Sequence, residues 1–291
     1  MTIIAGFSSS RQSAAPLQLA AQVARSTGEK VIAAAIVERA FPPRDDPVER
    51  EYLRYVSAQA QKSLERVVEQ LPADQDIPIV VHQSTSIPTG LMELVEENGA
   101  SLAVVGSSSA GLLGRIGLGS VTERLVHTAA VPVAIAPRGY APGSEPIRML
   151  TAAYGGEADV NGLIPAAAEL ATAWSVPLRI VSFTVRPVGG SIEPTAENLV
   201  VQQWSKRTFD DIVTKLNAVR ERLAVPDVEV VVGSGRDWRE AVESVPWASG
   251  DILLMGSGAA GPLARVFLGS AASKIVRHVP VPVMIVPRHR K

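Results

Sequence analysis

The sequence predicts an α/β fold built twice: two tandem five-stranded, mainly parallel sheets, each with helices on both faces. Three observations carry that expectation. Short apolar runs alternate with stretches of helical period, as strands alternate with helices in parallel sheets. The apolar runs read continuously instead of at every second residue, which suits strands covered on both faces. The whole series recurs 150 residues on (106 to 256) in a chain of 291, so one supersecondary unit is duplicated.

In the first copy, residues 2–7 form a short apolar run suited to a buried strand. An alanine-rich amphipathic stretch from about Ala14 to Ser26 follows and stops at Thr27-Gly28, because glycine accepts the left-handed backbone of a helix C-terminus. Lys30–Val37 reads as the second strand. After a proline-rich break at Phe41-Pro42-Pro43, a long polar–apolar helix is expected from Pro47 to Leu71. A third strand (Ile77–His82), a third helix (Pro88–Asn98) and a fourth strand (Ser101–Gly106) come next. A glycine-rich loop then leads to a helix from about Gly119 to Thr128, and Val131–Pro137 closes the unit as a fifth strand.

The second copy repeats this order, with strands expected near 148–154, 178–185, 228–232, 251–256 and 281–287. Pro132, Pro137, Pro282 and Pro287 cannot donate to a ladder, which assigns each fifth strand to a sheet edge. An exposed edge invites pairing, so the two fifth strands are expected to pair with each other inside one chain.

The register of the duplication is sharpest around the glycine loop. Gly106, Gly111, Arg115, Gly119 and Ser120 recur as Gly256, Gly261, Arg265, Gly269 and Ser270, and Val131-Pro132-Val133 recurs as Val281-Pro282-Val283. The predicted division is a first domain at 1–139, a Gly- and Pro-containing linker at 140–146 and a second domain at 147–291.

Composition excludes several classes. A net charge of -1 offers no field to recruit nucleic acid or an acidic membrane surface. Aromatic residues at 4% argue against stacking platforms for single-stranded nucleic acid. The absence of cysteine removes disulfides, thiolate nucleophiles and cysteine metal sites. MTIIAGFSSS has no basic leader followed by a long apolar run, and no run approaches the roughly 20 apolar residues that span a bilayer. A cytoplasmic location is the expectation.

The candidate site is the glycine loop. In doubly wound sheets, ligands sit beyond the carboxyl ends of strands, where loops enter helices. Gly106 ends a strand and Gly119-Ser120 opens the next helix. Unpaired N–H groups and the positive end of a helix dipole would meet there, as a phosphate requires. Ser120 adds a hydroxyl donor and Arg115 a cation.

In spacing, this loop resembles the universal stress protein family, whose ATP-binding branch carries G-x2-G-x9-G-[ST] between the fourth strand and fourth helix, followed by a fifth strand often worded VPV. Here the pattern reads Gly106, Ser109, Gly119-Ser120, and in the second copy Gly256, Ala259, Gly269-Ser270. The resemblance covers nearly the whole chain, twice. It implies an adenine-nucleotide-hydrolase-like, Rossmann-like fold. It also implies an ATP or other adenine-nucleotide site in the first domain, with Mg²⁺ present only with the nucleotide. Gly106, Gly119 and Ser120 would hold the phosphates with Arg115 as an auxiliary cation, Ser109 and Val121 would belong to the same nucleotide site, and the adenine would lie near Val37. The weaker second set is Gly256, Arg265, Gly269 and Ser270, with Val185 beside the adenine. Two features depart from the family pattern in each copy. Its second glycine is Ser109 or Ala259, and the aspartate after its first strand is Ser8 or Gly155. The first copy keeps two hydroxyls in Gly119-Ser120-Val121-Thr122, where the second reads Gly269-Ser270-Ala271-Ala272.

Other constellations point elsewhere. His82, His127, His278 and His289 lack metal-ligand spacing, and Ser8-Ser9-Ser10 lacks a nucleophile elbow. Trp174 is expected in the core, and Trp204, with Val200, Val201 and Phe209, on a sticky helix face. The resulting reading is a non-catalytic stress-response protein that binds an adenine nucleotide in its first domain, with intramolecular domain pairing and a homodimer as partner modes. The alternatives are a ligand-free dimerisation or interaction module, and a slow nucleotide hydrolase.

Overall fold

A computed structural model describes residues 1–8, 12–39, 46–108, 112–156, 162–185, 194–225, 227–256 and 269–287. Over 194–202 and at 205 it describes backbone alone. The chain divides into two compact units, Met1–Pro146 and Ile147–Lys291.

The first unit runs β1 (Thr2–Phe7), α1 (Ala15–Thr27), β2 (Lys30–Glu38), α2 (Pro47–Val68), β3 (Ile79–Ser84), α3 (Ile87–Glu97), β4 (Ala100–Gly106), α4 (Ser120–Thr128) and β5 (Val133–Ala136). Its strands lie in the order β3-β2-β1-β4-β5, all parallel. Consecutive residues Ile3, Ile4 and Ala5 of β1 and Leu102 to Val105 of β4 are buried, so both faces of the sheet are covered, as the continuous apolar runs require.

Local chemistry sets the helix ends. Gly28 ends α1 with φ +70°, a conformation a β-carbon would penalise. Asp46 and Ser86 accept hydrogen bonds from the N–H groups of Val48 and Thr89, capping α2 and α3. The expected linker at 140–146 packs onto its own unit. Tyr140 donates its hydroxyl to Gln22 Oε1 at 2.5 Å, and Gln22 Nε2 donates to the Pro146 carbonyl at 3.4 Å. Gln22 is fully buried in α1, so a buried amide needing partners anchors a segment whose Gly and Pro content reads as loose.

The second unit runs β6 (Met149–Ala153), α5 (Leu163–Trp174), β7 (Leu178–Val185), α6 (Pro194–Arg220), β8 (Val228–Gly235), α7 (Trp238–Glu243), β9 (Asp251–Gly256), α8 (Ser270–His278) and β10 (Val283–Val286). The strand order β10-β9-β6-β7-β8 and the parallel pairings repeat those of the first unit. Trp174 is 9% exposed and part of the core, as its place in the alanine-rich helix leads one to expect.

Candidate functional site

In the first unit the chain lays down β1, β2 and β3 in one direction, then returns to place β4 on the other side of β1. The loops leaving β1 and β4 therefore diverge, and a crevice opens between them at the carboxyl ends of the strands. A cavity of about 220 Å³ occupies this point, walled by Gly6 and Phe7 of β1, Val105 and Gly106 of β4, and Ile36 of β2. Gly119, Ser120, Val121 and Thr122 close it from the other side.

The loop base is held by a reciprocal backbone and hydroxyl clasp. Ser108 N–H donates to the Gly117 carbonyl at 2.7 Å, and Gly117 N–H donates to Ser107 Oγ at 2.7 Å. Ser107 N–H in turn donates to the Ala136 carbonyl of β5 at 3.0 Å. This fixes where Gly119 delivers the chain into α4. Gly119 offers no side chain to cap the helix, and the first intrahelical bond runs from Glu123 N–H to the Gly119 carbonyl. The N–H groups of Ser120, Val121 and Thr122 lie ahead of it, beside the cavity they line, with the positive end of the helix dipole.

Two glycines are set by close approach. A β-carbon on Gly119 would stand 3.1 Å from Ser108 Cβ, and one on Gly106 would stand 3.2 Å from Pro16 Cγ. At either position a side chain would require its neighbour to give by a few tenths of an ångström.

Of the residues singled out from sequence, Gly106, Gly119, Ser120 and Val121 come together around this cavity. Val37 does not line it. It is 5% exposed, and its neighbour Ile36 presents to the cavity instead, as alternation along a strand dictates. Arg115 also lies away from the cavity lining. Its backbone is tied to Leu112 and Arg138. Ser109 and Arg265 fall outside the described residues, as do Gly111, Ala259 and Gly261. Ser8, Ser13, Ser107 and Ser108 also line the cavity. Sequence reasoning passed over Ser107 and Ser108 because it tracked the glycines, although two serines directly after the strand are a signal of a loop that bonds to itself.

The second unit has its crevice at the matching reversal, between β6 and β9. The cavity there is larger, about 550 Å³, and Gly256, Gly269, Ala271 and Ala272 line it. Neither Ser270 nor Val185 does. Its walls carry Tyr154, Phe183, Trp204 and Trp238, so Trp204, expected on a sticky helix face, stands at a cavity, 50% exposed. Tyr154 is 3% exposed. Its hydroxyl bonds Asp211, while Lys215 Nζ donates to it at 2.7 Å. Burial, more than these partners, pushes the Tyr154 hydroxyl above its usual pKa.

Among the described residues no group of three or more His, Asp or Glu side chains is placed to hold a metal ion, and no helix is long and apolar enough to cross a membrane.

Two doubly wound units, each with a crevice at its switch point and an uncapped helix beside it, define a tandem α/β fold of the doubly wound class. The universal stress protein family model matches residues 1–137 and 150–287. Universal stress proteins of Mycobacterium bovis and Mycobacterium tuberculosis are 31% identical over 99% of this chain and 100% of their own length. This chain belongs to the universal stress protein family, with two tandem domains. A universal stress protein of Archaeoglobus fulgidus has the same fold at 16% identity, with a TM-score of 0.56 over 99% of this chain and 96% of its own. A Pseudomonas aeruginosa protein of unknown function has it at 13% identity, with a TM-score of 0.57 over 99% and 92%.

Proposed function

We propose that the first unit is the nucleotide-sensing half of this stress protein and binds the phosphate end of an adenine nucleotide, ATP with Mg²⁺, without chemistry of its own. The observation that carries this reading is the uncapped start of α4, where Gly119, Ser120, Val121 and Thr122 face a cavity at the switch point. Backbone N–H groups, a helix dipole and two hydroxyls on one concave surface are the donor set an oxyanion needs. A volume of about 220 Å³ falls below the roughly 300–1,000 Å³ that encloses a whole drug-sized ligand. The phosphates would occupy the cavity and the base would lie toward its mouth beside Ile36. Mg²⁺ would arrive with the nucleotide, since the described residues lining the cavity include no carboxylate.

The test is calorimetric titration of the intact protein with ATP and Mg²⁺, beside a Gly119→Asp variant. The aspartate would crowd Ser108 and place a negative charge where the phosphates bind. Micromolar binding abolished by the variant is expected. No heat from a folded protein, with no nucleotide carried through purification, overturns the reading.

One observation favours a second reading, an interaction module that works without ligand. Val48, Tyr52 and Tyr55 are 74%, 62% and 64% exposed at i, i+4 and i+7 on α2, an apolar stripe of the kind that covers a partner helix. A homodimer through this stripe would be weakened by Tyr52→Glu with Tyr55→Glu, read by sedimentation. An unchanged sedimentation profile counts against it.

A further inference from the structure

The second cavity has the position of the first and a different chemistry. Strand and helix registers identify matching residues in the two units. Ala5 pairs with Ala33 in the first and Ala152 with Ile180 in the second, so Ile36 corresponds to Phe183. Ile87 and Trp238 are each the first residue of the helix after the third strand. Two aliphatic wall residues of the first cavity, Ile36 and Ile87, are thus aromatic in the second. Buried positions spaced alike, Ala60, Leu64 and Val67 against Ile212, Leu216 and Val219, match Tyr52 with Trp204. Tyr52 is solvent-exposed and absent from the first cavity's lining, whereas Trp204 lines the second cavity.

The polar side changes in the opposite sense. Thr122 becomes Ala272, so a hydroxyl is lost, while the helix start remains uncapped at Gly269. A cation is kept in both units one turn into this helix, Arg124 in α4 and Lys274 in α8; Lys274 Nζ lies 5.8 Å from the centroid of Trp238, the ring that lines the cavity. Two indole faces and a phenyl ring offer stacking surface to a flat ring system. The dipole end and the ammonium accept a single anionic group, and about 550 Å³ is ample for a fused ring.

We infer that the second unit binds a fused-ring aromatic anion, stacked on Trp204 and Trp238 with its charged group at Gly269 and Lys274. This site is independent of the nucleotide reading of the first unit, and the molecule separates the two by itself. All four tryptophans, Trp174, Trp204, Trp238 and Trp247, lie in the second unit, so tryptophan emission reports there.

The experiment titrates the intact protein with flavin mononucleotide and with riboflavin, which share a ring and differ in the phosphate. Flavin emission and tryptophan emission are followed together. Saturable quenching of both by flavin mononucleotide is expected, with riboflavin about tenfold weaker. Trp204→Ala and Trp238→Ile, the latter restoring the first unit's residue, should each weaken binding by about tenfold or more. Gly269→Asp has open space for its side chain and should remove the advantage of flavin mononucleotide over riboflavin. Absence of saturable quenching in the folded protein overturns the inference. So does binding indifferent to both tryptophan substitutions, or tryptophan quenching by ATP that flavin mononucleotide does not displace.

Discussion

The two units share a backbone plan and have diverged in how they fill it, most plainly where the third helix of each unit meets its sheet. In the first unit α3 carries Gly90, and a β-carbon there would come within 2.8 Å of Ile36 Cγ2 and 2.9 Å of Ser84 Cβ. In the second unit the matching helix residue is Ala241, and the glycine has moved onto the strand. Gly233 of β8 would place a β-carbon 2.6 Å from the Ala241 carbonyl. The close approach of helix to strand is kept, and the residue that permits it has changed sides. The lesson is that the fold constrains the sum of two opposed side chains, not either position alone.

A second contrast lies at the amino ends of the strands, and it gives the largest expected effect. The second unit buries a charged cluster there: Arg179 is 6% exposed and Asp251 1%. Arg179 donates to Glu229 at 2.8 Å and to Asp251 at 3.3 Å. The first unit has Ile32 at the position of Arg179 and makes do with a Ser101–Glu29 hydrogen bond. Arg179→Met would make the second unit resemble the first while leaving Asp251 buried beside an apolar side chain. Removing one partner of a buried pair costs about 3–5 kcal/mol, so unfolding followed by tryptophan emission should move to much lower urea. Burial already pushes the Asp251 carboxyl above its ordinary 3.8. A raised folded pKa means the native state holds the proton more tightly. The contribution is full below about pH 3.8 and fades as pH rises through the folded value. The variant should accordingly lose more stability at pH 8 than at pH 5. A loss under about 1 kcal/mol, or one independent of pH, would show that the cluster is incidental.

The helix–strand exchange predicts a smaller effect. Gly90→Ala improves helix propensity by about 1 kcal/mol but forces contact with Ser84 and Ile36, an overpacking worth about 1–3 kcal/mol. A net destabilisation is expected. Ser84→Gly, which places a glycine where the second unit has Gly235 on β8, should relieve part of it. A double-mutant cycle with coupling of about 0.5 kcal/mol or more would sustain the comparison, and additive losses would break it.

Most of the fold was legible because it rests on period and punctuation. Continuous apolar runs marked nearly every strand, Gly28 and Pro47 marked helix ends, and the 150-residue register marked the duplication. The site was legible only along the backbone. Gly106, Gly119 and Ser120 announce a turn and a helix start whatever surrounds them, so their spacing transfers from sequence to structure. The walls do not, because which strand residue faces the crevice depends on register, and Val37 and Ile36 differ by one position. The aromatic wall of the second cavity gathers Phe183, Trp204 and Trp238 from three elements. Nothing local in the sequence joins those three, and only their scarcity elsewhere in the chain hinted that the second unit was special.

The smallest effect tests the other half of the same contrast. Where β8 carries Gly233, β3 carries His82, whose Nε2 lies 2.7 Å from Glu93 Oε2 on α3. That hydrogen bond holds the Glu93 carboxyl below its ordinary 4.5. A lowered folded pKa contributes stability above the unfolded value and loses it as pH falls through the folded one. The side chains are 23% and 42% exposed, so water and salt screen the pair. Glu93→Gln should cost less than about 1 kcal/mol at pH 6 and low salt, nothing measurable below the folded pKa, and less in 1 M salt. A cost that survives both acid and salt would mean that Glu93 acts by packing. The contact between α3 and β3 would then rest on packing, as the contact between α7 and β8 does where Gly233 lets the Ala241 carbonyl approach.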